Sequence, residues 1–253
     1  MIQVTDLTRR YGGTVAVADV SFDVPAGEVL ALVGDSGCGK TTTLKMINRL
    51  VEPDAGRVVV EGRDAASVER HLLRRSIGYV FQAVGLFPHM TVAENVAVPL
   101  RLLGWSGDRI GARVAELLAL VELDPSLARR FPAALSGGQQ QRVGVARALA
   151  GSPRVMLLDE PFGALDPLTR DRLQVSFDVL RRRLGLTAVL VTHDVAEALI
   201  LADRIAVMRG GRLVQLGTAA ELAGSPADDD VARLLDTPRR HAHVVAARLE
   251  GRS

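Results

Sequence analysis

An α/β fold around a largely parallel sheet is what this sequence predicts, and three observations carry the prediction. Short apolar strands alternate with helical stretches in the second half of the chain, the pattern of a parallel sheet covered by helices. A glycine-rich turn joins an apolar strand to a helix near residue 34. Residues 92–150 differ in texture and read as helices alone, an insertion between two strand-bearing parts.

Taken in order, strands are expected at Ile2–Leu7, Val15–Val17, Val20–Val24 and Glu28–Val33. Val20, Phe22 and Val24 alternate with polar neighbours, as in a half-buried strand. Glu28–Val33 is nearly continuous in apolar residues and suits a central strand covered on both faces. Thr41–Leu50 has helical character, and Arg57–Glu61 and Ile77–Phe81 read as further strands. Val92–Leu103 and Ile110–Val121 carry apolar residues at helical spacing, and Ser136–Ala150 is a third helix. Residues 88–151 are therefore expected to form a helical subdomain inserted into a core of 1–87 and 152–217. Strand and helix then alternate over Val155–Leu158, Leu168–Leu184, Ala188–Thr192, Val195–Leu201 and Ile205–Met208. Arg209-Gly210-Gly211-Arg212 reads as a hairpin leading to Leu213–Leu216. Residues 218–253 are expected to hold two short helices and a solvated tail that includes Arg239-Arg240-His241-Ala242-His243.

The composition narrows what such a fold could serve. The chain has 253 residues, 48% of them hydrophobic and 24% charged, which is enough apolar material for a core and too much for disorder. Thirty-one basic residues against 29 acidic ones leave +2, so there is no electrostatic case for nucleic acid or anionic lipid as the main partner. A single cysteine, Cys38, excludes an internal disulfide framework. No apolar run approaches the roughly 18 residues of a membrane span. The first residues lack the charged and apolar regions of a signal peptide. A soluble, intracellular chain is expected. Arginine supplies 29 of the 31 basic residues; lysine is kept at Lys40 and Lys45 alone.

Gly34-Asp35-Ser36-Gly37-Cys38-Gly39-Lys40-Thr41 matches G-x-x-x-x-G-K-[ST] in the strand-to-helix context that gives the motif meaning. Glycines let backbone N–H groups approach phosphates closely, and the helix start adds a positive dipole end. Lys40 is a compact point charge for the β- and γ-phosphates, where the planar fork of arginine would not fit. Thr41 is expected to bind Mg²⁺ and Thr42 the neighbouring phosphate. Cys38, set among N–H groups and Lys40, reads either as a reactive thiol or as an inert small residue filling the loop. Farther on, the apolar strand Val155–Leu158 runs into Asp159 and Glu160. Successive strand residues point to opposite sides, so the two carboxylates have different tasks: one orients Mg²⁺ and its waters, the other polarises a water against the γ-phosphate.

Leu135-Ser136-Gly137-Gly138-Gln139-Gln140-Gln141-Arg142, standing before the acidic strand, resembles the signature sequence of ATP-binding cassette (ABC) ATPases. The resemblance extends over residues 1 to about 217. It implies a P-loop NTPase fold: a RecA-like core with an antiparallel β subdomain, plus the helical subdomain of the ABC type. It implies ATP and Mg²⁺ as ligands. It further implies that Tyr11 stacks on adenine, that Gln82 senses Mg²⁺ and the attacking water, and that His193 contacts the γ-phosphate. Gly163-Ala164-Leu165-Asp166 resembles the loop that crosses the dimer interface. In this assignment Asp159 serves the metal and Glu160 is the general base.

Physically, Ser136 can cap the helix that follows, and its exposed amides make a second anion site. A chain with two separate anion-binding helix starts holds two half-sites. A head-to-tail C₂ homodimer would seat each ATP between one Lys40 loop and the Ser136 loop of the other copy.

Leu44-Lys45-Met46-Ile47-Asn48-Arg49-Leu50, Glu52-Pro53, Gly85-Leu86-Phe87-Pro88-His89-Met90-Thr91-Val92 and Leu103-Gly104-Trp105 resemble the ATPase subunits of importers for glycine betaine, choline and carnitine. That resemblance implies two membrane permease subunits docked near Gln82–Met90, a substrate-binding protein, and a place at the cytoplasmic face of the membrane. Phe87, Pro88 and Met90 give the docking segment the character of an exposed apolar loop, the alternative for Phe87 being core packing. Trp105 is expected to pack at a helix end. Amino-acid and polyamine importers share most of these residues, and an exporter ATPase is a further alternative. DNA-maintenance relatives need coiled coils or zinc modules between the phosphate loop and the signature, and Thr42–Leu135 contains neither heptads nor a cysteine cluster. Many osmoprotectant ATPases continue into a long regulatory module. With Ser253 as the last residue, a short extension over 218–253 is expected instead, without ionic-strength regulation.

Overall fold

The computed structural model describes residues 1–163 and 165–249. Two sheets organise the chain. β1 (Ile2–Tyr11), β2 (Thr14–Val24), β4 (Ala55–Val60) and β5 (Arg63–Asp64) form an antiparallel sheet in the order β2-β1-β4-β5. β3 (Val29–Val33), β6 (Ile77–Val80), β7 (Val155–Asp159), β8 (Thr187–Val191), β9 (Arg204–Arg209) and β10 (Arg212–Gly217) form the larger sheet in the order β10-β9-β3-β8-β7-β6. All its pairings are parallel except the β9–β10 hairpin. β3, β7 and β8 are buried at every residue, which is why their sequences are unbroken apolar runs rather than alternating ones.

The helices are α1 (Lys40–Ile47), α2 (Arg70–Ser76), α3 (Val92–Leu102), α4 (Gly107–Leu120), α5 (Gly137–Leu149), α6 (Pro167–Leu184), α7 (Val195–Leu201), α8 (Ala219–Gly224) and α9 (Asp229–Leu249). One core lies between the two sheets and holds Leu44, Met46 and Ile47 of α1. A second covers the opposite face of the parallel sheet with α3, α4, α5 and α6. A third, smaller one seats α7, α8 and the start of α9 on Ala31, Val33, Ile205 and Val207. Leu100 and Leu117 are wholly buried in the second core. Truncating either to alanine is expected to cost about 2–5 kcal/mol.

Three expectations change. Val15–Val17 and Val20–Val24 belong to one strand, β2. Its pairing with β1 shifts register between Leu7↔Val20 and Arg9↔Val17, and Asp19 takes φ 52° there, so the polar interruption is a bulge and not a break. α2 was not foreseen, because of its seven residues only Leu73 is buried. The C-terminal region is a short helix followed by a 21-residue one, and Arg239–His243 lie exposed on that second helix rather than in a tail. Val231 and Leu235 anchor its first half in the third core, and Arg209 at the end of β9 pairs with Asp228 and Asp230 at its start. Trp105 is packed at the junction of α3 and α4, with the Arg109 guanidinium 3.6 Å from its ring centroid. Among the described residues, no helix is long and apolar enough to cross a membrane.

Candidate functional site

The phosphate-loop motif connects the carboxyl end of β3 to α1, at the edge of the sheet where parallel strands present ligands. Its end glycines are sterically required. Gly34 takes φ 143° and Gly39 φ 101°, and a Cβ would stand 2.1 Å from the Met208 carbonyl oxygen at the first and 2.5 Å from that of Ala16 at the second. Asp35, Ser36 and Gly37 form the exposed crest. Lys40 is only 6% exposed; its Nζ donates to the carbonyls of Gly34 at 2.7 Å and Asp35 at 2.8 Å, so the ammonium lies inside the curl of the loop. Cys38 turns inward, 5% exposed among the core residues between the sheets. The small-filler reading fits this thiol, and the reactive one does not. Thr42 is half-buried in the first turn of α1, and Thr41 Oγ1 donates to Asp159 Oδ1 at 2.8 Å. Burial pushes the Asp159 carboxyl up, against that hydrogen bond and the Lys45 and Lys40 charges.

Glu160 follows β7 with φ 47°, and its N–H donates to the Val191 carbonyl. This turn aims the side chain away from Asp159 and between two other loops. Gln82 Nε2 donates to Glu160 Oε2 at 3.0 Å, and His193 Nδ1 lies 3.4 Å from the same oxygen. Gln82, Glu160 and His193 thus converge beside the Thr41–Asp159 pair.

The segment after Gln82 is held from two sides. Arg147 on α5 donates to the carbonyls of Val84 at 2.7 Å and Gly85 at 2.8 Å. Asn95, wholly buried on α3, donates to the carbonyls of Phe87, Met90 and Thr91 and accepts from Phe87 N–H. Phe87 is consequently 41% exposed on an ordered loop rather than packed in the core. Sequence reasoning missed Arg147 and Asn95; the available signal was a polar residue standing on the apolar face of each helix.

Ser136 caps α5 in a reciprocal box with Gln139: Ser136 Oγ accepts from Gln139 N–H at 3.3 Å, and Gln139 Oε1 accepts from Ser136 N–H at 2.9 Å. Asp166 caps α6 through Thr169 N–H, and hydrogen bonds from Thr169 hold its carboxyl below the usual range. Ser136, Gly137, Gly138, Gln139 and Asp166 line one cleft of about 540 Å³, to which residues 34–42 contribute nothing. Within one chain, the starts of α1 and α5 are therefore separate. Ala164, in the same loop as Asp166, lies outside the described residues. Tyr11 stands at the end of β1, 47% exposed, with the Arg9 guanidinium 4.8 Å from its ring centroid.

Comparison with known proteins agrees with this geometry. Residues 17–163 match the family model described as ABC transporter. The chain is 48% identical over 240 residues to the glycine betaine/carnitine/choline transport ATP-binding protein OpuCA of Bacillus subtilis, covering 94% of this chain and 63% of that one. It is 49% identical over 231 residues to the glycine betaine uptake system ATP-binding protein YehX of Escherichia coli, covering 91% and 75%. The chain thus spans less than two thirds of the length of the Bacillus protein. Among solved structures, a dimeric ATP-binding cassette in a post-hydrolysis state, bound to ADP and Pi, superposes with a TM-score of 0.80 at 33% identity, covering 86% of this chain and 98% of that one. The α/β architecture with two sheets and added helices is that of an ABC-type P-loop NTPase.

Proposed function

Because the chain belongs to the ABC transporter family, we propose that it hydrolyses ATP between two head-to-tail copies of itself and so drives a membrane importer for quaternary-amine solutes such as glycine betaine, choline or carnitine. The observation that carries the hydrolysis is Glu160, held at one oxygen by both Gln82 and His193 and set beside the Thr41–Asp159 pair.

The chemistry is transfer of the γ-phosphoryl group to water. As a water oxygen bonds to the γ-phosphorus, Glu160 takes its proton, and the bond from that phosphorus to the bridging oxygen breaks to leave ADP and phosphate. Lys40 neutralises the β- and γ-phosphates, the amides of Gly34–Thr41 cradle them, and Tyr11 offers its ring to adenine. The Ser136 hydroxyl and the Gly137 and Gly138 amides of the second copy close on the γ-phosphate from the other side, with Asp166 at the interface; the Ser136 N–H is taken by Gln139 Oε1. The Thr41 hydroxyl and Asp159 carboxylate are hard oxygen donors already 2.8 Å apart, which fits Mg²⁺, with Gln82 as a third donor. Bound there, the ion would offset phosphate charge.

The cargo reading rests on the names of the relatives, and with it come two permease subunits docked on the exposed loop around Phe87, a binding protein, and a place at the cytoplasmic face of the membrane. Glu160→Gln keeps the shape and removes the base. Turnover should fall about 10²-fold or more with ATP affinity unchanged. Turnover at the wild-type rate would remove Glu160 from its role. Cells lacking the gene should lose uptake of labelled glycine betaine, choline or carnitine. Normal uptake of all three would reject the cargo and leave the hydrolysis standing.

A further inference from the structure

His193 poses a problem of placement. Its side chain is 61% exposed, so packing does not hold it, and its recorded partner is Glu160 at 3.4 Å. The residues on either side of it are held instead. Thr192, before it, is 2% exposed; its hydroxyl donates to Glu197 Oε2 at 2.7 Å and accepts from Asp194 N–H at 3.0 Å. Asp194, after it, caps α7 by accepting at Oδ1 from Ala196 N–H at 2.9 Å and Glu197 N–H at 3.3 Å. The other oxygen of Asp194 faces Arg170 Nη1 at 3.6 Å. Arg170, on α6, donates from Nη2 to the Leu165 carbonyl at 3.3 Å and from its backbone N–H to the Asp166 carbonyl at 2.9 Å. One path of polar contacts therefore runs from the loop at Leu165–Asp166, through Arg170 and Asp194, to Thr192 and Glu197, with His193 in its middle.

This arrangement is costly. Glu197 is only 4% exposed, and its Oε1 is buried with no hydrogen-bond partner among the described residues; the same holds for Arg170 Nε. A buried carboxyl so sparsely satisfied destabilises the fold relative to an apolar residue of similar size. Packing gives no reason for a carboxyl under Thr192. Orientation does, because a hydroxyl that must both accept from Asp194 and donate needs an acceptor below it.

We propose that Glu197 and Arg170 are positioning residues that hold the backbone on either side of His193, Glu197 through Thr192 and Arg170 through Asp194, so that the imidazole is placed according to the conformation of the loop at Leu165–Asp166. A second copy that presses on that loop is then sensed at the γ-phosphate contact of the same chain. This rests on the hydrolysis reading above.

The test uses the full chain and the variants Thr192→Val, Arg170→Ala, Glu197→Ala and Glu197→Gln, alone and combined with His193→Ala. The readouts are ATP affinity, kcat and the NMR line width of the His193 imidazole. Thr192→Val, Arg170→Ala and Glu197→Ala should each lower kcat about tenfold while ATP affinity changes less than twofold. Glu197→Gln keeps an oxygen for the Thr192 hydroxyl and should restore most of the rate. On the His193→Ala background the same changes should cost less than twofold, because residues acting through a common group are not additive. The His193 signal should broaden or split in Thr192→Val and Arg170→Ala. An equal tenfold loss with and without His193, or an imidazole signal unchanged in both of those variants, overturns the proposal. If Glu197→Ala does not fold, Thr192→Val and Arg170→Ala decide, since both leave the buried carboxyl in place. A wild-type chain that hydrolyses no ATP rejects the hydrolysis reading instead, and the imidazole signal still decides the positioning.

Discussion

At the scale of single residues, Glu197 makes a prediction about pH. Burial, the largest cause, raises its pKa from the ordinary 4.5 to about 7, with Asp194 adding to the shift and Thr192, Arg170 and His193 opposing it. The folded chain thus binds this proton more tightly than the unfolded chain does. Its stabilising contribution is complete below about pH 4.5 and is lost as pH rises through about 7, roughly 3 kcal/mol in all. Denaturant titrations should show wild-type stability falling across that window, while Glu197→Gln stays flatter; parallel curves would mean that the carboxyl titrates normally. Tyr11 makes a different one. A ring that stacks tolerates any flat base, so GTP should compete measurably with ATP. Tyr11→Ala should weaken binding and Tyr11→Trp largely preserve it, and equal nucleotide affinity for wild type and Tyr11→Ala would remove the ring from the site.

At the scale of elements, the consequential contact is between α5 and the loop after Gln82. A Cβ at Gly144 would stand 2.7 Å from Val84 Cγ1, and Arg147 one turn later grips the same loop by two carbonyls. Alanine in place of glycine inside a helix ordinarily stabilises by about 1 kcal/mol. Here that gain is offset by pushing Val84 aside. Gly144→Ala should leave Tm within a few degrees of wild type and lower ATP turnover severalfold by displacing Gln82; full activity would show that the loop yields freely. Elements of this kind were legible where burial dictated their pattern. β3, β7 and β8 read as apolar runs because both faces are covered, and Ser136 reads as a helix start because its side chain caps, whereas the cap at Asp166 was not foreseen. α2 was silent because only one of its residues is buried, and β2 appeared divided because a polar bulge at Asp19 looks like a turn in one dimension. The length of α9 was hidden because Pro238 and the polar residues after it resemble a tail, although its first half is anchored by Val231 and Leu235.

At the scale of the molecule, the proposed mechanism makes assembly depend on the nucleotide, because the Lys40 loop and the Ser136 cleft of one chain are separate. On that mechanism closure would need a terminal phosphate for the second copy to grip. The Glu160→Gln chain should run as a dimer with ATP and as a monomer with ADP alone in size exclusion with light scattering. Gly138→Asp should abolish the dimer while sparing ATP binding. A dimer of equal strength in ATP, ADP and no nucleotide would sink this mechanism for the isolated chain. The site's parts were legible as motifs, and their meeting was implied by the family resemblance alone: Gln82 and Glu160 are 78 residues apart, and only the order of strands in the sheet brings them to one edge. Glu197 carried the same signal as Arg147 and Asn95, a lone polar residue in an otherwise apolar helix, whereas Arg170 stands on a charged stretch that reads as solvated until its burial is known. The seat of Lys40 has one more consequence. Apart from the N-terminus, every primary amine of this arginine-rich chain lies on the eight residues of α1, at Lys40 and Lys45. An amine-directed acylating reagent would therefore meet very few targets on this chain, and Lys40, 6% exposed and held inside its loop, should react more slowly than half-buried Lys45 or the N-terminus, so that its share of the label reports how far the loop opens.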